Sequence, residues 1–359
     1  MNLRKEKLLI LTHNQLGVFT AANKICEHLN ASFEITVVCW DYHLPRKKME
    51  GIEVRYISRE GNVLKRNVRL FAEFIKCLNE DVDYVYVKYQ KGISLVNLLT
   101  RKKMLLDIRT LSVHHSKTIR RIEDFILKME CKLFKYKSIL SHDIAKKMGM
   151  KNYFYFPLGA DSTIDPAKKV NKFSLLYVGT LQGRNLDRFL RGFELFLKEK
   201  RILTGVSLDI IGDGPELYGL MEFVDGNLLL ADKVTLHGRM AHHDLKPFFE
   251  RCLIGVSYIP ITDWYDLQPP TKTYEYLLSR LIVLGTATTA HNQLKDDSNV
   301  FLIGDCEESI RDGLVELWET YVKDELKFNP NDYREYTWDY IIKKKFVPIL
   351  KWLKNNPSY

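Results

Sequence analysis

At 359 residues, 46% hydrophobic and 12% aromatic, the chain is globular rather than disordered and too long for one typical core, so two α/β domains are expected. Its six cysteines, Cys26, Cys39, Cys77, Cys131, Cys252 and Cys306, show no C-x-x-C and no His-rich spacing, which argues for reduced thiols in a cytosolic protein and against a zinc site. The net charge of +9 is uneven, with 29 Lys and Arg against 16 Asp and Glu through residue 160 and 25 against 29 thereafter, so the first half is suited to an anionic partner.

The opening MNLRKEKLLILT has an apolar run too short for a signal peptide, and no later run reaches a membrane span. A cytoplasmic location is expected, at most peripheral on the inner face of the membrane. No helix-turn-helix, RNA-binding or zinc-finger signature occurs. Nucleic acid therefore ranks below an anionic membrane surface or a phosphorylated substrate as the partner of the basic half.

Strand and helix patterns alternate through the first half. Strand Leu8–Leu11 leads through the loop His13–Gly17 into a helical pattern ending at His28. Strands Ile35–Cys39 and Val54–Ile57, a helix over about 63–79, strand Tyr84–Val87, a helix near Ile93–Thr100 and strand Met104–Ile108 follow. The next helix spans about 117–134, with Ile119, Ile122, Phe125, Ile126, Met129 and Leu133 at helical spacing. Strands near Ile139–Leu140 and Tyr153–Phe156 close the set. Such alternation predicts a parallel, doubly wound sheet.

The aperiodic stretch Pro157–Asn171 reads as a linker, and the pattern then restarts. Strand Leu175–Val178 runs into Gly179-Thr180 and a loop through Arg184, followed by a helix over about 187–200. Strand Leu208–Ile211 ends in Gly212-Asp213-Gly214-Pro215 before a helix. Strand Val234–Leu236 ends in His237-Gly238-Arg239. A helix at Asp244–Arg251 precedes strand Leu253–Tyr258. Later come a strand at Val300–Ile303, a helix at Glu307–Glu319 and an amphipathic helix over about 338–353. The polar and glycine-rich loops of this half follow its strands, where open α/β sheets bind ligands.

The most informative window is Gln268–Thr286, QPPTKTYEYLLSRLIVLGT. Two prolines precede a short helical run and then a buried strand. Unpaired N–H groups at a helix start suit a phosphate, and Lys272 adds a full charge there. Glu275 lies three residues on, on the same face, where a carboxylate can accept from two vicinal hydroxyls. Phosphate and ribose on one turn would mean a nucleotide; the same spacing also describes an ordinary surface ion pair.

In order, LLDIRTL (Leu105–Leu111), Ser141, FPLGAD (Phe156–Asp161), YVGTL…RNLD (Tyr177–Asp187), IGDGPE (Ile211–Glu216), LHGRM (Leu236–Met240), VSYIP (Val256–Pro260) and PTKTYEYL (Pro270–Leu277) resemble the family-4 retaining glycosyltransferases of the GT-B fold. The resemblance covers most of the chain and is strongest over Leu175–Leu317. It implies an α/β architecture of two Rossmann-like, doubly wound parallel-sheet domains facing across a cleft. Residues 1–160 would bind the acceptor and 172–336 the donor, with a C-terminal helix in 337–359 packing back toward the first domain. The implied reaction moves a sugar, with retention, from a nucleotide diphosphate sugar to a glycan or lipid-linked acceptor in surface polysaccharide biosynthesis. No cofactor or metal is expected.

Carried over by position, Glu275 would hold the ribose, and Lys272 with Arg184 would neutralise the diphosphate. Backbone near His237-Gly238-Arg239 and Tyr258 would frame the base, and Gly17, Gly179 and Thr180 lie in the loops expected to approach the donor. The family often has an acid eight residues before the second Glu; here that position is Leu267, with Asp266 one step away as a substitute. Arg280 and Ile282 replace the family's Gly and Pro after the short helix, and Gly17 stands alone where a Gly pair is common. On the acceptor side His13, Arg109, His114 and His115 are candidates, although Arg109 could equally bridge to Asp107 as scaffold. The catalytic candidates are thus His13, Arg109 and Asp266. Basic residues beside apolar ones (Lys65, Arg66 and Arg69; Arg120, Arg121, Lys128 and Lys132) could rest on anionic lipid. The departures at Leu267 and Arg280 leave a second reading open, a non-catalytic GT-B subunit that binds a partner enzyme or glycan.

Overall fold

The computed structural model describes residues 4–18, 20–100, 102–114, 116–163, 172–202 and 204–356. His115 and positions 164–171 of the linker read from the sequence lie outside them. The chain divides into two compact units, Met1–Leu158 with Trp338–Tyr359, and Gly159–Thr337.

In the first unit, β1 (Glu6–Thr12), α1 (Thr20–Leu29), β2 (Phe33–Asp41), β3 (Ile52–Ser58), α2 (Val63–Leu78), β4 (Tyr84–Lys88), α3 (Ile93–Leu99), β5 (Met104–Ile108), α4 (Lys117–Lys132), β6 (Tyr136–Ile139), α5 (His142–Met148) and β7 (Phe154–Tyr155) alternate along the chain. Every pairing is parallel, and the strand order is β3-β2-β1-β4-β5-β6-β7. The order reverses between β1 and β4, which leaves a crevice at their C-terminal ends. The second unit repeats the plan with β8 (Phe173–Val178), α6 (Leu186–Glu199), β9 (Val206–Ile211), α7 (Leu217–Asp225), β10 (Val234–Leu236), α8 (Lys246–Arg251), β11 (Ile254–Ser257), α9 (Thr271–Leu278), β12 (Ile282–Thr286), β13 (Val300–Ile303) and α10 (Glu307–Val322). Its order is β10-β9-β8-β11-β12-β13, with the reversal between β8 and β11.

The central strands read as continuous apolar runs because helices cover both faces. All six residues of β8, FSLLYV, are buried. Helix α6 buries Leu186, Phe189, Leu190, Phe193 and Phe196 at helical spacing, and Gly192 lets it close on Ile310 of α10. The C-terminal segment runs as α11 (Trp338–Ile341), a π-turn (Ile342–Phe346) and α12 (Val347–Asn355) rather than one uninterrupted helix. It buries Trp338, Ile342, Phe346 and Leu350 in the core of the first unit.

Two features lie beyond the sequence reading. Helix α5, absent from the sequence reading, is started by Ser141, whose hydroxyl accepts from the Asp143 N–H, and stopped by Gly149 at φ +66°. The apolar stripe of α4 faces outward: Ile119, Ile122, Phe125, Met129 and Leu133 are exposed, while Arg120, Leu127 and Cys131 are buried. Arg120 therefore leaves the set of lipid-facing bases, its guanidinium donating to the His114 carbonyl at 2.6 Å.

Helix α9 is seated by one aromatic ring. Gly255 in β11 has no side chain, and the fully buried Tyr276 ring occupies the space, so a Cβ at 255 would overlap it. The Tyr276 hydroxyl accepts from the Val178 N–H at the end of β8 at 2.9 Å. Gly255→Ala is expected to cost about 1–3 kcal/mol by overpacking, and Tyr276→Phe about 1–3 kcal/mol by leaving that buried N–H unpaired. Urea unfolding of the two variants checks this; wild-type midpoints for both would show that the ring does not seat α9.

Candidate active site

In the second unit the candidate residues gather at the β8/β11 switch point. The loops after β8, β9 and β10 are bound to one another through glycines. Gly179 N–H donates to Ile211 O at 3.0 Å, Gly212 N–H to Gly238 O at 2.9 Å and Leu181 N–H to Asp213 O at 3.0 Å. A Cβ on Gly212 would overlap the Gly179 carbonyl, so only glycine permits this approach. Gly238 sits at φ +67°, a second position that favours glycine. Thr180 is exposed, and its carbonyl accepts from the Tyr177 hydroxyl at 2.8 Å. Arg239 is exposed.

Arg184 leaves this loop and lays its guanidinium 4.3 Å from the Tyr265 ring centroid. Its Nη1 is buried and finds no hydrogen-bond partner among the described residues. Lys272 and Glu275 meet across the first turn of α9 at 2.5 Å, and both side chains are largely covered. The sequence left that pair open between an ion pair and a ligand site. The ion pair is present, and it occupies one carboxylate oxygen of Glu275.

Two candidates face elsewhere. Both Asp266 carboxylate oxygens are held by Thr289, from its N–H at 2.8 Å and its hydroxyl at 2.6 Å. The Asp266 carboxylate thus fixes the turn after β12. The Tyr258 ring is core, and its hydroxyl donates to Asp305 at 2.5 Å, with Arg188 on the same carboxylate oxygen at 2.8 Å. Burial, then Asp305, raises the Tyr258 pKa, so the hydroxyl stays a donor to that carboxylate. These bonds commit the ring and hydroxyl alone; the Tyr258 backbone, which is the part the resemblance assigns to the base, is not engaged by them.

Beneath the N-terminus of α9 lies a histidine the sequence reading passed over. His291 is fully buried; its Nδ1–H donates to Thr286 O at 2.7 Å, so Nε2 accepts from the Thr273 hydroxyl at 2.8 Å. The Ser257 hydroxyl completes the chain onto Thr273 at 2.8 Å. Every polar atom of the ring is used, which marks His291 as support for α9.

In the first unit, His13 and Arg109 line one cavity of about 410 Å³ together with Trp40, Lys88, Gln90 and Asp124. It opens at the C-terminal ends of β1, β4 and β5, the switch point of that sheet. Arg109 is largely committed to scaffold: Nε donates to Asp107 at 2.5 Å and Nη1 to the carbonyls of Phe156 and Pro157 at 3.1 and 3.2 Å. Asp107 also accepts from Tyr86 at 2.5 Å and Ser138 at 2.7 Å. Arg109 Nη2, His13 Nδ1 and both amide atoms of the buried Gln90 find no hydrogen-bond partner among the described residues. Lys88 donates to Asn14 at 2.6 Å, and burial pulls its ammonium down to about 7. Neither Lys88, the last residue of β4, nor Gln90, two residues beyond it, carries a sequence signal of its own, each being one polar residue at the end of an apolar run. Gly17, at φ +105°, stands apart from the cavity and donates its N–H to Asn23. His114 is exposed, its Nδ1 accepting from the Ser116 N–H.

No protein-family profile and no curated protein matches the chain. Solved structures do. A glycosyltransferase from Rickettsia africae superposes with a TM-score of 0.73 at 15% identity, covering 99% of this chain and 100% of that one. A UDP-forming α,α-trehalose-phosphate synthase from Burkholderia vietnamiensis gives 0.72 at 10% identity, covering 99% and 98%. Anabaena HepE in complex with UDP-glucose gives 0.66 at 13% identity, covering 97% and 98%. At these identities the likeness shows the fold: two Rossmann-like parallel-sheet units of the GT-B type.

Burial drives the pKa of His291 and of His13 from 6.5 down to about 4, with the Lys88 charge adding to the effect at His13. Between pH 4 and 6.5 the unfolded chain binds more protons at these sites than the folded one, so stability is held above 6.5 and lost as pH falls through this window. His291 alone should cost about 2 kcal/mol between pH 7 and pH 5. Urea midpoints at the two pH values measure this, and His291→Gln should remove about half of the dependence, the His13 share remaining. An equally steep fall in that variant would place the linkage elsewhere.

Proposed function

We propose that the chain is a retaining glycosyltransferase that moves a sugar from a nucleoside diphosphate sugar to a glycan or lipid-linked glycan, in the assembly of surface polysaccharide. The observation that carries this reading is the β8/β11 switch point. There a buried, unpartnered Arg184 Nη1 accompanies Lys272 and Glu275 on the first turn of α9. A leaving nucleoside diphosphate develops negative charge, and Lys272, Arg184 and the N–H groups of that turn can receive it. Positive side chains then take the part a metal plays elsewhere. Glu275 keeps acceptor capacity beyond the oxygen on Lys272 and can take two ribose hydroxyls. The glycine-bound loops at Gly179 and Gly238 bring backbone close to the donor, with Arg239 beside them.

The cavity of the first unit suits the acceptor. Gln90 offers a donor and an acceptor, Arg109 Nη2 a donor, and neutral His13 a nitrogen that can take a hydroxyl proton. Asp266 is a poor choice for the sugar contact, since Thr289 holds both its oxygens; Tyr265 and Asp266 N–H donate to Thr262 O and Gln268 N–H to Tyr265 O, so the Leu267 N–H is the better one in that loop. Uridine donors come first for testing, because HepE was crystallised with UDP-glucose and the Burkholderia synthase is UDP-forming.

Donor hydrolysis and transfer across UDP-, GDP- and ADP-sugars should reveal one preferred base. Glu275→Ala and Lys272→Ala should each lower kcat/KM by about a hundredfold or more. Unchanged turnover in both would remove this site. Absence of donor binding in wild type, together with a stable protein partner, would favour the non-catalytic subunit.

A further inference from the structure

The outward stripe of α4 continues onto α3. Glu130 of α4 accepts from Gly92 N–H and the Ser94 hydroxyl, both at 2.8 Å, Lys91 pairs with Glu123 at 2.7 Å, and Asn97 donates to Leu133 O at 2.8 Å. These bonds fix α3 beside α4, and α3 presents Leu95, Leu98 and Leu99 to solvent next to Ile122, Phe125 and Met129 of α4. Phe125 is 62% exposed and Leu99 80%. By contrast, the second unit exposes only four large apolar side chains among its described residues, on separate elements: Tyr218, Leu228, Ile261 and Val322. A contiguous apolar face of this kind marks an interaction surface.

The charges around it are sorted by sign. Glu123 takes Lys91 and the Ser112 hydroxyl, Asp124 takes the Ser112 N–H, and Glu130 takes the start of α3, so every acid of α4 is turned into an internal bond. Arg121, Lys128 and Lys132 are exposed and follow one another around the helix on the far flank of the stripe. We infer that the α3–α4 face docks on an anionic lipid surface, with Leu98, Phe125 and Met129 entering the interface and Arg121, Lys128 and Lys132 reaching phosphate headgroups. An apolar stripe flanked by bases is the pattern of an interfacial helix, and long basic side chains keep their heads at the headgroup level while their stems lie on apolar surface. A second copy on the same face would set these three bases against a like-charged patch, which disfavours self-association there.

The inference does not rest on the donor site, and its test needs no turnover. Full-length protein is floated with phosphatidylcholine vesicles with or without phosphatidylglycerol, at low and high salt. Recovery should be high only with phosphatidylglycerol at low salt. Leu98→Ser/Phe125→Ser and Arg121→Glu/Lys128→Glu/Lys132→Glu should each reduce it by about tenfold or more. All the substituted side chains are exposed, so circular dichroism and donor hydrolysis should match wild type. Equal recovery on both vesicle types, or recovery unchanged in both variants, would overturn the inference. So would a dimer in sedimentation velocity, or a protein complex, that the serine variant abolishes while flotation persists.

Discussion

The contact between Tyr276 and the strands beneath it governs the geometry of the second unit. The ring fits because β11 carries Gly255, and its hydroxyl takes the last strand N–H of β8, at Val178. One side chain of α9 is thereby tied to both strands that border the switch point. The loop bearing Gly179, Thr180 and Arg184 starts one residue beyond that N–H, and Lys272 stands four residues before the ring. The Ser257–Thr273–His291 chain then supports the first turn of α9 from below. A shift of α9 would break a buried hydrogen bond at each end, and the low dielectric there makes unpaired polar groups costly. The cationic tip is rigid because the apolar and polar parts of one helix are satisfied together.

The two units place histidines at corresponding ends of their sheets, and the hydrogen bonds separate the roles. Burial lowers both rings to about 4, so titration alone does not distinguish them. His291 spends Nδ1 on a carbonyl and Nε2 on a hydroxyl. His13 keeps an unpartnered Nδ1 beside about 410 Å³ of space shared with Gln90 and Arg109. A ring with all its valences used is scaffold, and one with a nitrogen in reserve beside a cavity can serve a ligand. The same criterion moves Asp266 toward scaffold and Arg184 toward the site.

The alternation of strands and helices, the glycine loops after β8, β9 and β10, and the Lys272–Glu275 turn were all legible in the sequence, because each rests on local spacing. What escaped depends on long-range partners. Lys88 and Gln90 matter through the strands they neighbour, and His291 through Thr273, eighteen residues away in sequence. The stripe of α4 shows the limit most clearly. Its apolar spacing is the same whether the face turns in or out, and periodicity carries no sign. The sign came from packing: α4 presents Leu127 and Cys131 to the sheet and bonds its acids to α3 and to the loop at Ser112. That left the larger apolar side chains nowhere to go but solvent.

Helix α4 also joins two features that the sequence held apart. Leu127, Glu123 and Asp124 line the cavity that holds His13 and Gln90, while Phe125 and Met129 belong to the outward face of the same turns. Cavity and stripe are therefore separated by the thickness of one helix, about 10 Å. On the reading proposed for each, a lipid-linked acceptor would lie in the bilayer plane with its polar end at cavity depth, and docking would align the two. On the same two proposals the basic excess of the first half would have a physical use, holding that unit against an anionic surface that carries the acceptor. A soluble glycan would gain nothing from that stripe, so an exposed apolar face beside the cavity favours the lipid-linked class over the free one.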